Sequence, residues 1–207
     1  MKTPPGLLLV TMEPPPAMEE EFNAWYDSEH MPERAELPGI LRTQRMVCTT
    51  GWPKYAAIYD LESTDVMESA PYQRISGKNF SPWSKRIGGK VSGQWRFVGR
   101  LIGDEPCITG QNGVPGSFFL MRWRDASAQW ETTILDGVHA NFGDKSSVLQ
   151  TRVFMGEGAQ GIEFCALIEA SLPLAPQDID VETFGPSARG IDWVNAYVPY
   201  WRRLSSA

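Results

Sequence analysis

The sequence predicts an α+β fold made of two consecutive β-α-β-β-α-β units. Three observations predict it. Apolar stretches of strand length alternate with helix-like patterns, in that order, between residues 6 and 101. A Gly- and Pro-rich segment without apolar periodicity follows at 103–116. The pattern then restarts, and Asp27-Ser-Glu-His30 returns as Asp136-Gly-Val-His139.

In the first unit, Gly6 to Glu13 is an apolar run bounded by prolines and reads as a buried strand. Pro14-Pro-Pro16 opens a helix, since proline lacks only an N–H that the first turn leaves unbonded. Glu19, Glu20 and Glu21 then complement the helix dipole. Met18, Phe22, Trp25 and Tyr26 recur at spacings of three and four as one aromatic stripe. Pro32 disfavours helical geometry at Met31, which predicts a helix end near His30. Ile40 to Thr49 reads as a strand with polar residues on both faces: Leu41, Thr43, Arg45 and Val47 on one, Arg42, Gln44, Met46 and Cys48 on the other. Residues 55–62 form the next strand. Ser63-Thr-Asp65 caps a short helix over Val66 to Ile75, 79–89 reads as a loop, and Val91 to Leu101 is the last strand. This order is the split βαβ, or ferredoxin-like, unit.

In the second unit, 117–123 is a strand, Asp125 or Ser127 caps a helix through Trp130, Ile134 and Leu135, and 147–154 and 162–169 are strands. A less regular helix spans 179–191, and 193–201 is an aromatic strand or tail. The predicted organisation is therefore 1–102, first unit; 103–116, linker; 117–207, second unit.

Composition narrows the function. The 207 residues are 42% hydrophobic with eight Trp, ample for a packed core. The formal charge of −6 and the absence of a basic run longer than a pair argue against nucleic acid. No apolar run of 18 residues suggests a membrane helix. Cys48, Cys107 and Cys165 are odd in number and far apart, which predicts reduced thiols in a cytoplasmic protein rather than disulfides or a zinc knuckle.

A four-stranded antiparallel sheet with helices on one face must bury its other face. Two such sheets can pack into a barrel, with helices outside and a pocket between the sheets. The barrel would close within one chain, or each unit would pair with its copy in a homodimer. Arg42, Gln44, Gln94 and Arg122 are candidates for facing a ligand in that pocket, with edge or surface positions as the alternative.

The segment Phe22-Asn-Ala-Trp-Tyr-Asp-Ser-Glu-His-Met-Pro-Glu-Arg34, with Leu37-Pro-Gly-Ile40 and Arg42, resembles the signature of the EthD-like branch of the dimeric α+β barrel superfamily. Tyr59 to Val66, Tyr72 and Ser81-Pro-Trp83 resemble the later part of the same unit. The resemblance covers residues 5–101; the second unit shares only the element order and Asp136-x-x-His139. It implies a sheet-lined pocket, small-molecule chemistry and a site in the first unit. The superfamily includes cofactor-independent monooxygenases, lactone isomerases, dehydratases and haem proteins.

The expected chemistry centres on His30, which can exchange a proton near neutral pH. Asp27, three residues earlier on the same helical face, would orient it, and Tyr26 would donate to a substrate carbonyl. Such a site suits isomerisation, dehydration or decarboxylation of an aromatic or polyketide-like carbonyl compound. The alternative is that Asp27 bonds locally and His30 packs at the helix end. Trp25, Arg42, Gln44, Trp83, Trp95 and Arg122 are the candidate substrate-binding residues. No metal spacing occurs, no nucleotide-binding motif occurs, and no cofactor is expected, although haem needs only one axial His. Three other readings remain at this point: a non-catalytic small-molecule-binding or accessory protein, a cofactor-independent monooxygenase or haem-binding protein as the resemblance allows, and an inter-sheet space packed solid with Trp and Met.

Overall fold

The computed structural model describes residues 3–103 and 108–201. Eight antiparallel strands close into one barrel: β1 (Gly6–Glu13), β2 (Ile40–Thr50), β3 (Tyr55–Leu61), β4 (Ser92–Ile102), β5 (Ser117–Ala126), β6 (Val148–Gly158), β7 (Gly161–Ala170) and β8 (Ile191–Pro199). The order round the barrel is β1-β3-β2-β8-β5-β7-β6-β4. Each half has the same internal order, with its first strand between its third and fourth. Two seams join the halves inside the single chain. Met46 to Thr50 pair with 196–199, and Gly99 to Ile102 pair with 153–156.

Strand alternation sorts the apolar residues into three layers. Leu7 and Leu9 of β1 point into the barrel, while Leu8, Val10 and Met12 point out under the helices of the first half. That double burial is why residues 6–13 read as a continuous apolar run. The barrel interior is filled by Met46, Ile58, Phe97, Phe118, Phe154 and Tyr197 with their neighbours. The pocket expected between the sheets is therefore a packed core, and the polar alternation of β2 has another cause. Arg45 and Val47 lie on its helix-facing side, Met46 and Cys48 on its interior side.

Charged groups close both ends of the barrel. At the Leu7 end, Arg152 bonds Asp60 (2.6 Å) and Glu169 (2.8 Å), all three almost fully buried. The chain crossing from β4 to β5 lies over them: the Thr109 and Gly110 amides donate to Asp60 (2.7 Å) and Glu169 (2.8 Å). At the other end Arg122 sits between the rings of Trp95 (4.7 Å) and Trp193 (5.3 Å) and makes two 2.9 Å bonds to Asp192.

The helices lie outside. In the first half they are α1 (Glu19–Trp25), α2 (Met31–Ala35), α3 (Ala70–Gln73) and α4 (Pro82–Gly88). In the second half α5 (Glu131–Phe142) and the 3₁₀ segment Val181–Gly190 cover the sheet. Residues 79–89 thus contain a helix rather than a loop. Ser81 caps it by accepting from the Ser84 amide (2.9 Å), with Pro82 as its first residue. Among the described residues no helix is long and apolar enough to cross a membrane. Cys48 and Cys165 are free thiols. Cys107 lies outside the described residues.

Candidate functional site

The first helix does not stop at His30. It leaves α-geometry at Trp25, passes through a π-helical turn, Tyr26–His30, and resumes as α2. The Met31 amide bonds the Tyr26 carbonyl five residues back. Pro32 explains the form of the turn. In a regular helix its ring would collide with the carbonyl four residues earlier, and one widened turn relieves that collision without ending the helix.

The widened turn separates the two residues that regular spacing would put together. Asp27 points to the mouth of a groove and accepts from Arg45 Nη1 at 2.6 Å. His30 turns inward, its ring 4.1 Å from Trp25 and 5.0 Å from Tyr26 between centroids. The expected Asp27–His30 pairing is not made. His30 Nδ1 is buried and has no hydrogen-bond partner. Burial, reinforced by the Arg34 and Arg45 charges, holds the His30 pKa well below 6.5.

Arg45 is the organising group. It is buried on β2, beneath α1, and its second terminal nitrogen donates to Asn23 Oδ1 at 2.7 Å. The rings of Tyr26 (4.4 Å) and Tyr200 (4.0 Å) lie against its guanidinium. The Tyr200 amide bonds the Arg45 carbonyl (2.9 Å), so the chain just past β8 is fastened over the same point. The groove, about 470 Å³, is lined by Asp27, Thr43, Gln44, Arg45 and Tyr200 with an apolar side of Met31, Pro32, Ala35 and Trp201.

Behind this wall is a sealed polar cluster. Tyr26 and Tyr59 are both almost fully buried, and burial raises both phenol pKa values. The two phenols influence each other's ionisation, yet the geometry leaves Tyr59 Oη without a hydrogen bond. Arg34, also buried, reaches from the His30 carbonyl (3.2 Å) to that of Ile75 (3.4 Å).

Of the residues singled out in the sequence, Asp27 and Gln44 line the groove, while Trp25, Tyr26 and His30 stand behind it. Arg42 is exposed, against Gly110. Gln94 is exposed on β4. Trp83 packs on the outer layer from α4. Trp95 and Arg122 belong to the barrel end and do not meet the groove. Asn23, Arg34, Tyr59 and Tyr200 were not anticipated, and Arg45 reads in the sequence only as a solvated or site-lining position. The signal for Arg45 was its place on the same face of β2 as Val47, a face that a helix must cover.

The second half has a counterpart groove of about 410 Å³ under α5, lined in part by Asp136, His139, Thr151 and Val153. Aligning Leu41 to Met46 with Leu149 to Phe154 sets Val153 at the place of Arg45, both on helix-covered faces, with Met46 and Phe154 both inside the barrel. Here α5 is a regular helix and His139 is exposed. The second half thus has no arginine at the place of Arg45 and no π-turn in α5, although the buried Arg152 of the barrel-end network also lines its groove.

Among the described residues no three His, Cys, Asp or Glu side chains come together as a metal-binding group. At His30 the residues do not fit haem, which needs an accessible axial ligand: the His30 ring is packed against Trp25 and Tyr26.

The neutral state of His30 makes a pH prediction. Its folded pKa lies below its unfolded value, so the unfolded chain takes up the proton first. The contribution of the neutral ring is complete above pH 6.5 and is lost as pH falls from 6.5 toward the folded value. The melting temperature of the wild-type protein should therefore fall between pH 6.5 and 5 more steeply than that of His30→Asn. Equal slopes in thermal scans would contradict a buried neutral imidazole.

No protein-family model matches the chain, and no curated protein matches it. Solved structures do. An anthrone oxidase-like protein is 13% identical, with a TM-score of 0.67 over 97% of this chain and 93% of that chain. A chlorite dismutase-like protein is 12% identical, with a TM-score of 0.58 over 96% of each chain. A chlorite dismutase variant from Candidatus Nitrospira defluvii is 9% identical, with a TM-score of 0.60 over 97% of this chain and 93% of that chain. At these identities the likeness is one of fold.

Proposed function

From the premise that this chain has the α+β barrel fold of those small-molecule-processing proteins, we propose that it is an enzyme whose active site is the groove under the first helix. The reaction is proton transfer on a small aromatic or polyketide-like carbonyl compound, without a bound cofactor, as in isomerases, dehydratases and decarboxylases. The observation that carries this reading is the buried Arg45 guanidinium, held between two tyrosine rings at the wall of a groove. Loss of a proton or of CO₂ next to a carbonyl leaves negative charge on its oxygen, and a fixed guanidinium in a low-dielectric wall stabilises that charge. Asp27 is the carboxylate beside it and serves as proton acceptor. Met31, Pro32, Ala35, Tyr200 and Trp201 receive the apolar body of the substrate.

In this reading His30 does not exchange protons directly with the substrate; it and Tyr26 support the wall from behind. We also read the two halves as a tandem repeat in which the EthD-like first half holds the site and the second completes the barrel. A homodimer would use surfaces other than sheet edges, since both seams are closed within the chain.

One observation favours a non-catalytic binding protein instead: Asp27 is already engaged by Arg45 at 2.6 Å. A panel of hydroxylated aromatic ketones and β-keto acids separates the two. Wild-type protein should turn over a member of the panel, and Asp27→Asn should lower kcat about 100-fold or more while still binding the compound. Binding without turnover by the wild type would favour the binding protein, and no binding at all would remove the groove as a site.

A further inference from the structure

The buried guanidinium of Arg45 ends a hydrogen-bonded chain that begins at the surface. Lys54 Nζ donates to Glu19 Oε1 (2.5 Å), and Tyr55 Oη donates to the same oxygen (2.6 Å). Asn23 Nδ2 donates to Tyr55 Oη (3.2 Å), and Arg45 Nη2 donates to Asn23 Oδ1 (2.7 Å). The other terminal nitrogen of Arg45 reaches Asp27 in the groove. The secondary structure places these links. Tyr55 stands next but one to Ala57, the register partner of Arg45, and so shares its face of the sheet. Glu19 and Asn23 lie one turn apart on α1, on the side that covers that face. Tyr55, Asn23 and Arg45 are buried, and Glu19 is half-buried. Glu19, Tyr55 and Asn23 do not line the groove.

The two ends of the chain give it one direction. An ionised carboxylate only accepts, and a guanidinium only donates. Hydrogen bonds from Lys54 and Tyr55 hold the Glu19 carboxyl below the usual carboxylate range, so it is ionised at neutral pH. The Tyr55 proton is therefore taken up by Glu19, and burial together with that bond pushes the phenol pKa up to about 12. What Tyr55 offers Asn23 is a lone pair. It takes the NH₂ end of the amide and turns the carbonyl end toward Arg45. Turned the other way, the amide would set donor against donor.

We propose that Tyr55 is a positioning residue for the groove: anchored on Glu19, it fixes the orientation of the Asn23 amide and, through it, the Arg45 guanidinium. The wall then presents its cation in one orientation before a ligand arrives. Glu19, which in the sequence reads only as a complement to the helix dipole, becomes the anchor of the chain.

The inference rests on the groove reading for what Arg45 is held ready to bind, and its test needs no ligand. In protein whose arginines carry ¹⁵N, the Arg45 side-chain signals are identified by their loss in Arg45→Lys. Tyr55→Phe should speed both rotation about the Arg45 guanidinium C–N bonds and exchange of its N–H protons with water by roughly tenfold, the effect of one lost hydrogen bond. A tyrosine that only fills space would lower the melting temperature on substitution and leave those rates unchanged, and unchanged rates would overturn the proposal. Glu19→Met leaves the buried ring in place and should speed the same rates. Glu19→Gln keeps an acceptor for Tyr55 and should restore them toward the wild type. Wild-type rates in Glu19→Met would overturn the anchoring. For a carbonyl compound that binds in the groove, Kd should rise about tenfold in Tyr55→Phe. A panel that binds nowhere would remove the groove reading, and the Arg45 rates would still decide this one.

Discussion

Replacing Arg152 with leucine should destabilise the protein by about 3–5 kcal/mol, the largest loss expected from any single substitution considered. Among the described residues Arg152 is the sole cation bonded to Asp60 and Glu169, two carboxylates almost completely withdrawn from water. Without it both carboxylates stay inside the barrel end with only neutral donors: the Thr109 and Gly110 amides and the Gln150 side chain, whose Nε2 lies 2.6 Å from Glu169. The cost comes from stranding charge rather than from the worth of the pairs. Arg152→Leu combined with Asp60→Leu and Glu169→Leu should therefore recover much of the loss. Chemical denaturation of the two variants is the check. A single variant within about 1 kcal/mol of wild type would show that the network carries no buried charge.

Arg45→Met is expected to cost on the order of 3 kcal/mol, somewhat less than Arg152→Leu because Asp27 is a fifth exposed and water can reach it. The substitution keeps the length of the side chain. It removes the bonds to Asp27 and Asn23 and the cation under Tyr26 and Tyr200. It should also abolish ligand binding in the groove, which sets it apart from Arg152→Leu: the barrel-end network does not touch the ligand. Arg45→Lys should retain part of the stability through its charge but not the two-nitrogen reach to Asn23 and Asp27, so binding should remain weak. Adding Asp27→Asn to Arg45→Met should cost less than the sum of the two single changes, as expected for groups that bond each other. Simple additivity in a double-mutant cycle would contradict the 2.6 Å contact.

Much of the fold was legible because the barrel enforces strict alternation. The strands at 6–13, 55–61 and 117–123 are buried on both faces and read as largely apolar runs. The site was only half legible. Asp27, Tyr26 and His30 were found as a motif, but their mutual geometry depends on how the helix absorbs Pro32, and a π-turn leaves no pattern of period 3.6 to detect. Arg42 and Gln44 were preferred to Arg45 as ligand-facing because a wet barrel interior was assumed. Once Met46 and Phe154 are seen to fill it, the helix-covered face becomes the polar one. The Asp60–Arg152–Glu169 cluster could not be read at all, since it joins β3, β6 and β7 across the barrel through residues that look solvated in sequence.

The central claim is that the ligand site lies in the first half, on Arg45, between helix and sheet. Its most direct test is a crystal structure of the protein with the tightest-binding compound from the carbonyl panel. The account predicts ligand density against the Arg45 guanidinium and the Tyr200 ring, with an oxygen within hydrogen-bonding distance of Arg45. Density beside His139 under α5, or within the barrel between Trp95 and Arg122, would contradict it.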